Sequence, residues 1–286
     1  MIPDNVLTTH KHHHKSKSST SRRVWFWTKI AIITYCTIGF VLYYTQEYFL
    51  FHPDVIAREV PYTFTVPFEE KEIPFSSTDT ISMVKFFTAA KPSKGIVLYF
   101  HGNKGNINRY AKFAQNFTGK GYEIWMLDYP GFGKSVGKRS EAKIYHQAEQ
   151  VYKLAKSVIS PDSIVVYGKS IGTGVAAYIA SRNDCKQLIL ETPYSSIPDL
   201  FACYAPIYPT ERMATYRFPI NEYLHDVKSP VTIFHGTKDK VIPYRCAARL
   251  IKALKKGDDF VTIESGTHHN LNDYPQFQEK LKSLLR

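Results

Sequence analysis

Ser170 stands in Gly168-Lys169-Ser170-Ile171-Gly172, after the apolar run Ser163 to Tyr167 and before a helical pattern from Thr173 to Ala180. A strand, the spacing G-x-S-x-G and a helix form a tight turn that presents a serine hydroxyl for nucleophilic attack. Gly168 and Gly172 suit such a turn because the backbones close in too tightly there for a Cβ. Asp239 follows the apolar run Val231 to Phe234, and His268-His269 follows Phe260 to Glu264. Serine, then acid, then histidine is the chain order in which this kind of nucleophile acquires its base and the carboxylate that orients it. The chemistry implied is acyl transfer, with the histidine taking the serine proton and Asp239 holding the imidazole tautomer. The Ile171 amide, free at a helix N-terminus, is one expected oxyanion donor; the Asn103 amide, in the loop after the run Gly95 to Phe100, is the other.

Other readings of the same residues fail on spacing. A phosphate loop ending in Gly168-Lys169-Ser170 needs glycine at Ser163. A dinucleotide loop beginning at Gly172 would have its first glycine a full turn inside the helix rather than directly after the strand. Cys36, Cys185, Cys203 and Cys246 have no metal-ligand spacing, and with Cys36 in an apolar stretch an odd number remains, so no disulfide framework is expected. No metal or cofactor is expected. The net charge of +12 raises the question of nucleic acid. Much of that excess lies in the first thirty residues, the later Lys and Arg are read as interleaved with acids, and no nucleic-acid-binding motif accompanies them. Asp128, at the end of another strand, precedes the serine and is read as a turn cap; His101 is read as shaping its turn.

The elements that must position these residues alternate. Tyr62 to Phe75 and Ile81 to Phe87 read as an antiparallel pair. Gly95–Phe100, Glu123–Leu127, Ser163–Tyr167, Gln187–Leu190, Val231–Phe234 and Phe260–Glu264 read as further strands. Helical patterns occupy about 106–117, 142–159, 245–255 and 274–285. Such alternation means a mostly parallel sheet covered by helices on both faces, with ligands beyond the carboxyl ends of its strands. The segment 193–227 is long enough only for a small lid, and its aromatics, Phe201, Tyr204, Tyr216 and Phe218 among them, are expected to be divided between the core and an acyl cleft.

The chain before this domain has a different character. Residues 1–23 are basic and polar, with His10, His12, His13 and His14, and are expected to be a disordered tail. Residues 24–44 are apolar apart from Lys29 and scattered hydroxyls, and as a helix would span about 30 Å, enough for a bilayer core. Trp25, Trp27, Tyr43, Tyr44 and Tyr48 fall where interfacial aromatics belong, and no small-residue cleavage site follows. An uncleaved anchor is expected, with 45–60 as linker and 61–286 as the catalytic domain. Lys11, Lys15, Lys17, Arg22 and Arg23 precede Lys29, whereas the first cation after Tyr44 is Arg58; the N-terminus is therefore expected in the cytoplasm and the domain across the membrane.

The motifs HGNKGN at His101, DYPGFGKS at Asp128, GKSIG at Gly168, HGTKDKVIP at His235 and GTHHNL at Gly266 together resemble those of the α/β-hydrolase superfamily. The resemblance is to its single-pass, membrane-anchored serine hydrolases related to lysophospholipases, monoacylglycerol lipases and protein depalmitoylases. It implies the α/β-hydrolase fold, a Ser-His-Asp triad, and a lipid or acyl-ester substrate, ester or thioester, with an apolar acyl chain. In the related motif the base stands two residues after the glycine and three before a leucine, which selects His268. His269 then takes the position usually held by asparagine, where a side chain can brace the loop. A peptidase of the same fold and a catalytically silent, membrane-tethered binding module are the rivals. The first would need an acidic pocket for a substrate amine, and the second would be expected to have lost a triad residue.

Overall fold

The structure, a computed structural model, describes residues 19–286. Their contacts divide into a unit ending at Thr45 and a larger one from Gln46 to Arg286. The first helix, α1, runs Ser19–Leu50, beyond the expected 24–44 at both ends. By length and composition it is able to cross a membrane. The expected tail lies outside the described residues as far as residue 18, the histidine cluster included.

The larger unit is built on an eight-stranded sheet. Its strands are β1 (Phe68–Pro74), β2 (Thr80–Phe86), β3 (Gly95–Phe100), β4 (Tyr122–Leu127), β5 (Ile164–Lys169), β6 (Gln187–Glu191), β7 (Val231–Gly236) and β8 (Asp259–Ile263). Their spatial order is β1-β2-β4-β3-β5-β6-β7-β8. β2 runs antiparallel to both β1 and β4, and the remaining pairs are parallel. β3, β5, β6 and β7 are buried at every position, without alternation, because both of their faces are covered. Alternate residues of the central strands divide between two cores. Leu98, Phe100, Trp125, Val166 and Leu190 pack on one side with residues of α2 (Glu141–Lys156) and α3 (Gly172–Arg182). Val97, Tyr99, Met126, Val165 and Ile189 pack on the other with Phe277 and Leu281 of the C-terminal helix Pro275–Leu284.

Several expected boundaries move. β1 starts at Phe68 rather than Tyr62, directly after Pro67, which has no amide to donate to a ladder. The expected helix 106–117 is three short pieces, Ile107–Tyr110, Ala111–Phe113 and Gln115–Thr118. Asn106, Asn108 and Asn116 are weak helix formers because their amides compete with the backbone, and Asn106 caps the first piece by accepting from the Asn108 amide. The expected helix 245–255 is an α turn, Tyr244–Ala247, followed by 3-10 turns to Ala253.

The expected linker, 45–60, belongs largely to the folded unit. Phe51 is buried against Phe132 and Tyr216. Gln46 donates to the Met213 carbonyl and accepts from the Thr215 amide, and Glu47 meets Arg139 at 3.2 Å. His52–Pro53 pairs with Lys104–Gly105, beside the expected oxyanion loop.

One cysteine expectation is overturned. Cys203, in the lid helix Ile197–Tyr204, and Cys246, in the turn after β7, form a disulfide across a separation of 43 residues. The count of four had concealed this because only the fold brings those two positions together. Arg249 adds a 2.7 Å ion pair to Asp199 across the same junction. Replacing Cys203 by serine should lower stability by about 2–4 kcal/mol. The check is thermal unfolding of Cys203→Ser against wild type, with wild type in reductant showing the same drop.

Candidate active site

β5 delivers Ser170, the candidate nucleophile. A Cβ on Gly172 would lie 2.1 Å from the Phe100 carbonyl oxygen, and one on Gly168 would lie 2.5 Å from the Gly172 oxygen. Only glycine allows α3 to start this close to β3 and β5. The turn so compressed holds Ser170 at φ 54°, a region that non-glycine residues adopt only when their surroundings enforce it. Here the enforcement includes the Ser170 amide donating to the Glu191 carbonyl at 2.9 Å and the Thr173 amide donating to the Ser170 carbonyl at 3.0 Å.

The structure brings Ser170, His268 and Asp239 together. His268 Nε2 lies 3.0 Å from Ser170 Oγ, and His268 Nδ1 lies 2.8 Å from Asp239 Oδ2. Asp239 Oδ1 accepts from the Val241 and Ile242 amides, both at 2.8 Å. Burial favours the neutral carboxyl, but the hydrogen bond and charge of His268, the Ile242 amide and His235 outweigh it and hold the Asp239 pKa below its ordinary value. Asp239 is therefore an anion that accepts through both oxygens, the arrangement that fixes the His268 ring with Nδ1 protonated and Nε2 free to accept. His235 Nε2 donates to the Ile242 carbonyl, 2.9 Å away, and burial pushes the His235 pKa down.

Asp128 and His101 take the roles expected of them. Asp128 Oδ1 accepts from the Ile107 amide at 2.9 Å, and its backbone carbonyl accepts from Ser135. His101 lies buried between the rings of Tyr110 and Tyr129, and its carbonyl accepts from the Tyr129 hydroxyl. The amides of Ile171 and Asn103 donate to no other group among the described residues.

Ser170 and His268 open into a cavity of about 260 Å³ that Asn103 also lines. The lid aromatics do not line it. Tyr216 and Phe218 are buried in the core, and Tyr204 reaches the Lys240 and Val241 carbonyls instead. The apolar lining comes from Phe49, Phe113 and Val241. Phe49 lay in the segment read as a linker, so no pattern within 193–227 could have found it.

His269 also departs from expectation. It lines the cavity, and Asn270 braces the loop, its Oδ1 accepting from both the amide and the hydroxyl of Thr267. Partial desolvation, then the charges of His268, Lys169 and Arg109, push the His269 pKa down.

Sequence reasoning missed the group beneath the nucleophile. Glu191, at the end of β6, is buried and accepts from Lys169 Nζ, from the Tyr167 hydroxyl and from Asn272 Nδ2. It thereby links the elbow strand to the turn that follows His268. The signal was available as a lysine beside the serine inside an otherwise apolar strand-turn-helix, a charge that demands a buried partner.

The family model described as "Serine aminopeptidase, S33" matches residues 91–218. The mouse α/β hydrolase domain-containing protein 17C is 29% identical over 222 residues, 75% of this chain and 67% of that protein. An esterase of Pyrococcus furiosus superposes with a TM-score of 0.64 at 16% identity, covering 82% of this chain and 97% of the esterase. A soluble variant of monoglyceride lipase from Saccharomyces cerevisiae superposes with a TM-score of 0.59 at 16% identity, covering 80% and 98%. With the strand order and the elbow, these likenesses place the chain in the α/β-hydrolase superfamily. The chain spans 64% to 67% of the length of the first curated relatives it matches.

The two histidines can be separated by measurement. His268→Ala should remove nearly all ester turnover, whereas His269→Ala should retain most of it, because only His268 bridges Ser170 and Asp239. Steady-state kinetics of both variants on one soluble ester provide the check, and the reverse ranking would move the base.

Proposed function

We propose that this protein is a membrane-anchored serine hydrolase that cleaves a carboxylic ester or thioester bearing an apolar acyl chain. The observation that carries the reading is the continuous hydrogen-bonded relay from Ser170 Oγ through His268 to Asp239. Ser170 Oγ attacks the carbonyl carbon while its proton passes to His268 Nε2. The Ile171 and Asn103 amides hold the tetrahedral oxyanion, each worth roughly 10² to 10³ in rate. His268 returns the proton to the leaving oxygen or sulfur, leaving an acyl-Ser170 ester. A water, deprotonated by the same nitrogen, then releases the acid. No metal or cofactor takes part in these steps.

The apolar lining of Phe49, Phe113 and Val241 supports an acyl chain. Membrane attachment through α1 supports a substrate drawn from or near a bilayer. An aminopeptidase reading is less well supported, because a substrate ammonium calls for a carboxylate and none lines the cavity. A silent binding module would have no use for an intact relay. One variant tests the proposal. Ser170→Ala should reduce turnover by roughly 10⁶ while leaving the thermal midpoint near that of wild type. Retention of more than a few per cent of esterase activity would falsify the assignment.

We further propose that the catalytic unit lies on the non-cytoplasmic side. The basic flank before the apolar stretch 24–44 supports this by the charge rule, and the Cys203–Cys246 disulfide supports it because such bonds persist in oxidising compartments. Protease added outside intact spheroplasts should digest the catalytic unit; digestion only after lysis would reverse the orientation.

A further inference from the structure

The wall of the cavity beside Asn103 carries charge of one sign. Lys104, Arg109 and Lys112 all line it, all are exposed, and none is ion-paired with a carboxylate among the described residues. Lys169 lines it too, but its charge is met by Glu191. No aspartate or glutamate lines the cavity. The sequence has the same bias on a larger scale, since no acidic residue occurs between Asp79 and Glu123. This stretch corrects the reading that the later cations are interleaved with acids.

A run of exposed lysines is ordinarily a solvated face. Two features set this one apart. First, the three side chains share one cavity with the nucleophile, and Lys104 directly follows Asn103, the proposed oxyanion donor. Second, the charge of Arg109 is felt across the cavity: after burial and the charges of His268 and Lys169, it helps lower the pKa of His269, which lines the same cavity. Charges lining a cleft with low-dielectric walls focus the potential and concentrate a ligand of opposite sign. A neutral glyceride would leave three cations unanswered beside its scissile bond.

We infer that the substrate carries an anionic group, a phosphate or a carboxylate, close to the ester or thioester bond, and that Lys104, Arg109 and Lys112 select for it. This inference rests on the serine hydrolase reading and specifies its substrate class: an anionic acyl ester with its alkyl chain on Phe49, Phe113 and Val241. Arg109 is suited to the two-pronged contact that both anions offer, while Lys104 and Lys112 supply point charges. The acyl-transfer step is unchanged, and the anion leaves with the alcohol or thiol to which it is attached.

The test compares three soluble substrates below their micelle-forming concentrations: octanoyl glycerol, octanoyl glycerol 3-phosphate and octanoyl lactate. Wild type should favour at least one anionic ester over the neutral one by roughly tenfold or more in kcat/KM, the scale of one charge-assisted hydrogen bond. The favoured ester distinguishes phosphate from carboxylate. The preference should shrink towards unity at high ionic strength, where exposed charges are screened. It should also shrink in the triple variant Lys104→Gln, Arg109→Gln, Lys112→Gln. Equal or better turnover of the neutral ester by wild type would overturn the inference, as would a preference that survives in the triple variant. Fluorophosphonate labelling of Ser170 separates the two levels of failure. A labelled enzyme that hydrolyses the neutral ester without preference refutes the anion site alone, whereas a chain that neither labels nor hydrolyses refutes the hydrolase reading itself.

Discussion

The catalytic unit depends on one close approach, that of the start of α3 to the ends of β3 and β5. The 2.1 Å that would separate a Gly172 Cβ from the Phe100 oxygen leaves no room for any side chain. With the backbones locked together, Ser170 has no relaxed conformation open to it and stays at positive φ. That conformation costs on the order of 1–3 kcal/mol, which only a surrounding over-determined structure sustains. The same crowding aims the Ser170 hydroxyl at His268 and leaves the Ile171 amide without a competing acceptor. Geometry at the nucleophile is thus a consequence of sheet packing rather than of the triad side chains.

Glu191 extends this constraint to the base. Its backbone carbonyl takes the Ser170 amide, while its carboxylate takes Lys169 and Tyr167 on one strand and Asn272 on the turn beyond His268. A buried lysine–glutamate pair is weak evidence for stability, since desolvation offsets much of its attraction. Its value here is positional, because one carboxylate ties together the strand bearing the nucleophile and the loop bearing the base. Removing either partner alone would leave an uncompensated buried charge directly beneath the reaction centre.

The sheet and the triad residues were legible in the sequence because their signals are local. A continuous apolar run marks a strand covered on both faces, and glycines flanking serine mark the elbow. What was hidden depended on long-range contact. Cys203 and Cys246 become neighbours only once the lid helix docks beside β7. Phe49 and Phe51 both fall in the segment read as a linker, yet Phe51 is core and Phe49 lines the cavity. The lid aromatics failed in the opposite direction. Tyr216 and Phe218 look suited to an acyl cleft, but they pack into the core that α2 and α3 share with the sheet, Phe218 against Tyr145 and Tyr216 against Phe51. His269 and Asn270 differ by one place in a turn, and the structure gives the brace to Asn270 because its amide oxygen reaches two donors of Thr267 at once.

The division of charge in the site follows from the same long-range logic. Two carboxylates sit near Ser170, and neither faces the cavity with unspent charge. Asp239 accepts from two amides and His268, and Glu191 accepts from Lys169, Tyr167 and Asn272. Each anion is satisfied inside the protein, which keeps Asp239 ionised despite its burial. The cations Lys104, Arg109 and Lys112 are exposed and form no ion pair with a carboxylate among the described residues. Negative charge in this site is therefore structural and inward, while positive charge is outward and open. In the proposed mechanism a developing oxyanion would enter that field at Asn103, where the potential from the cationic wall would add to the dipole of the amide.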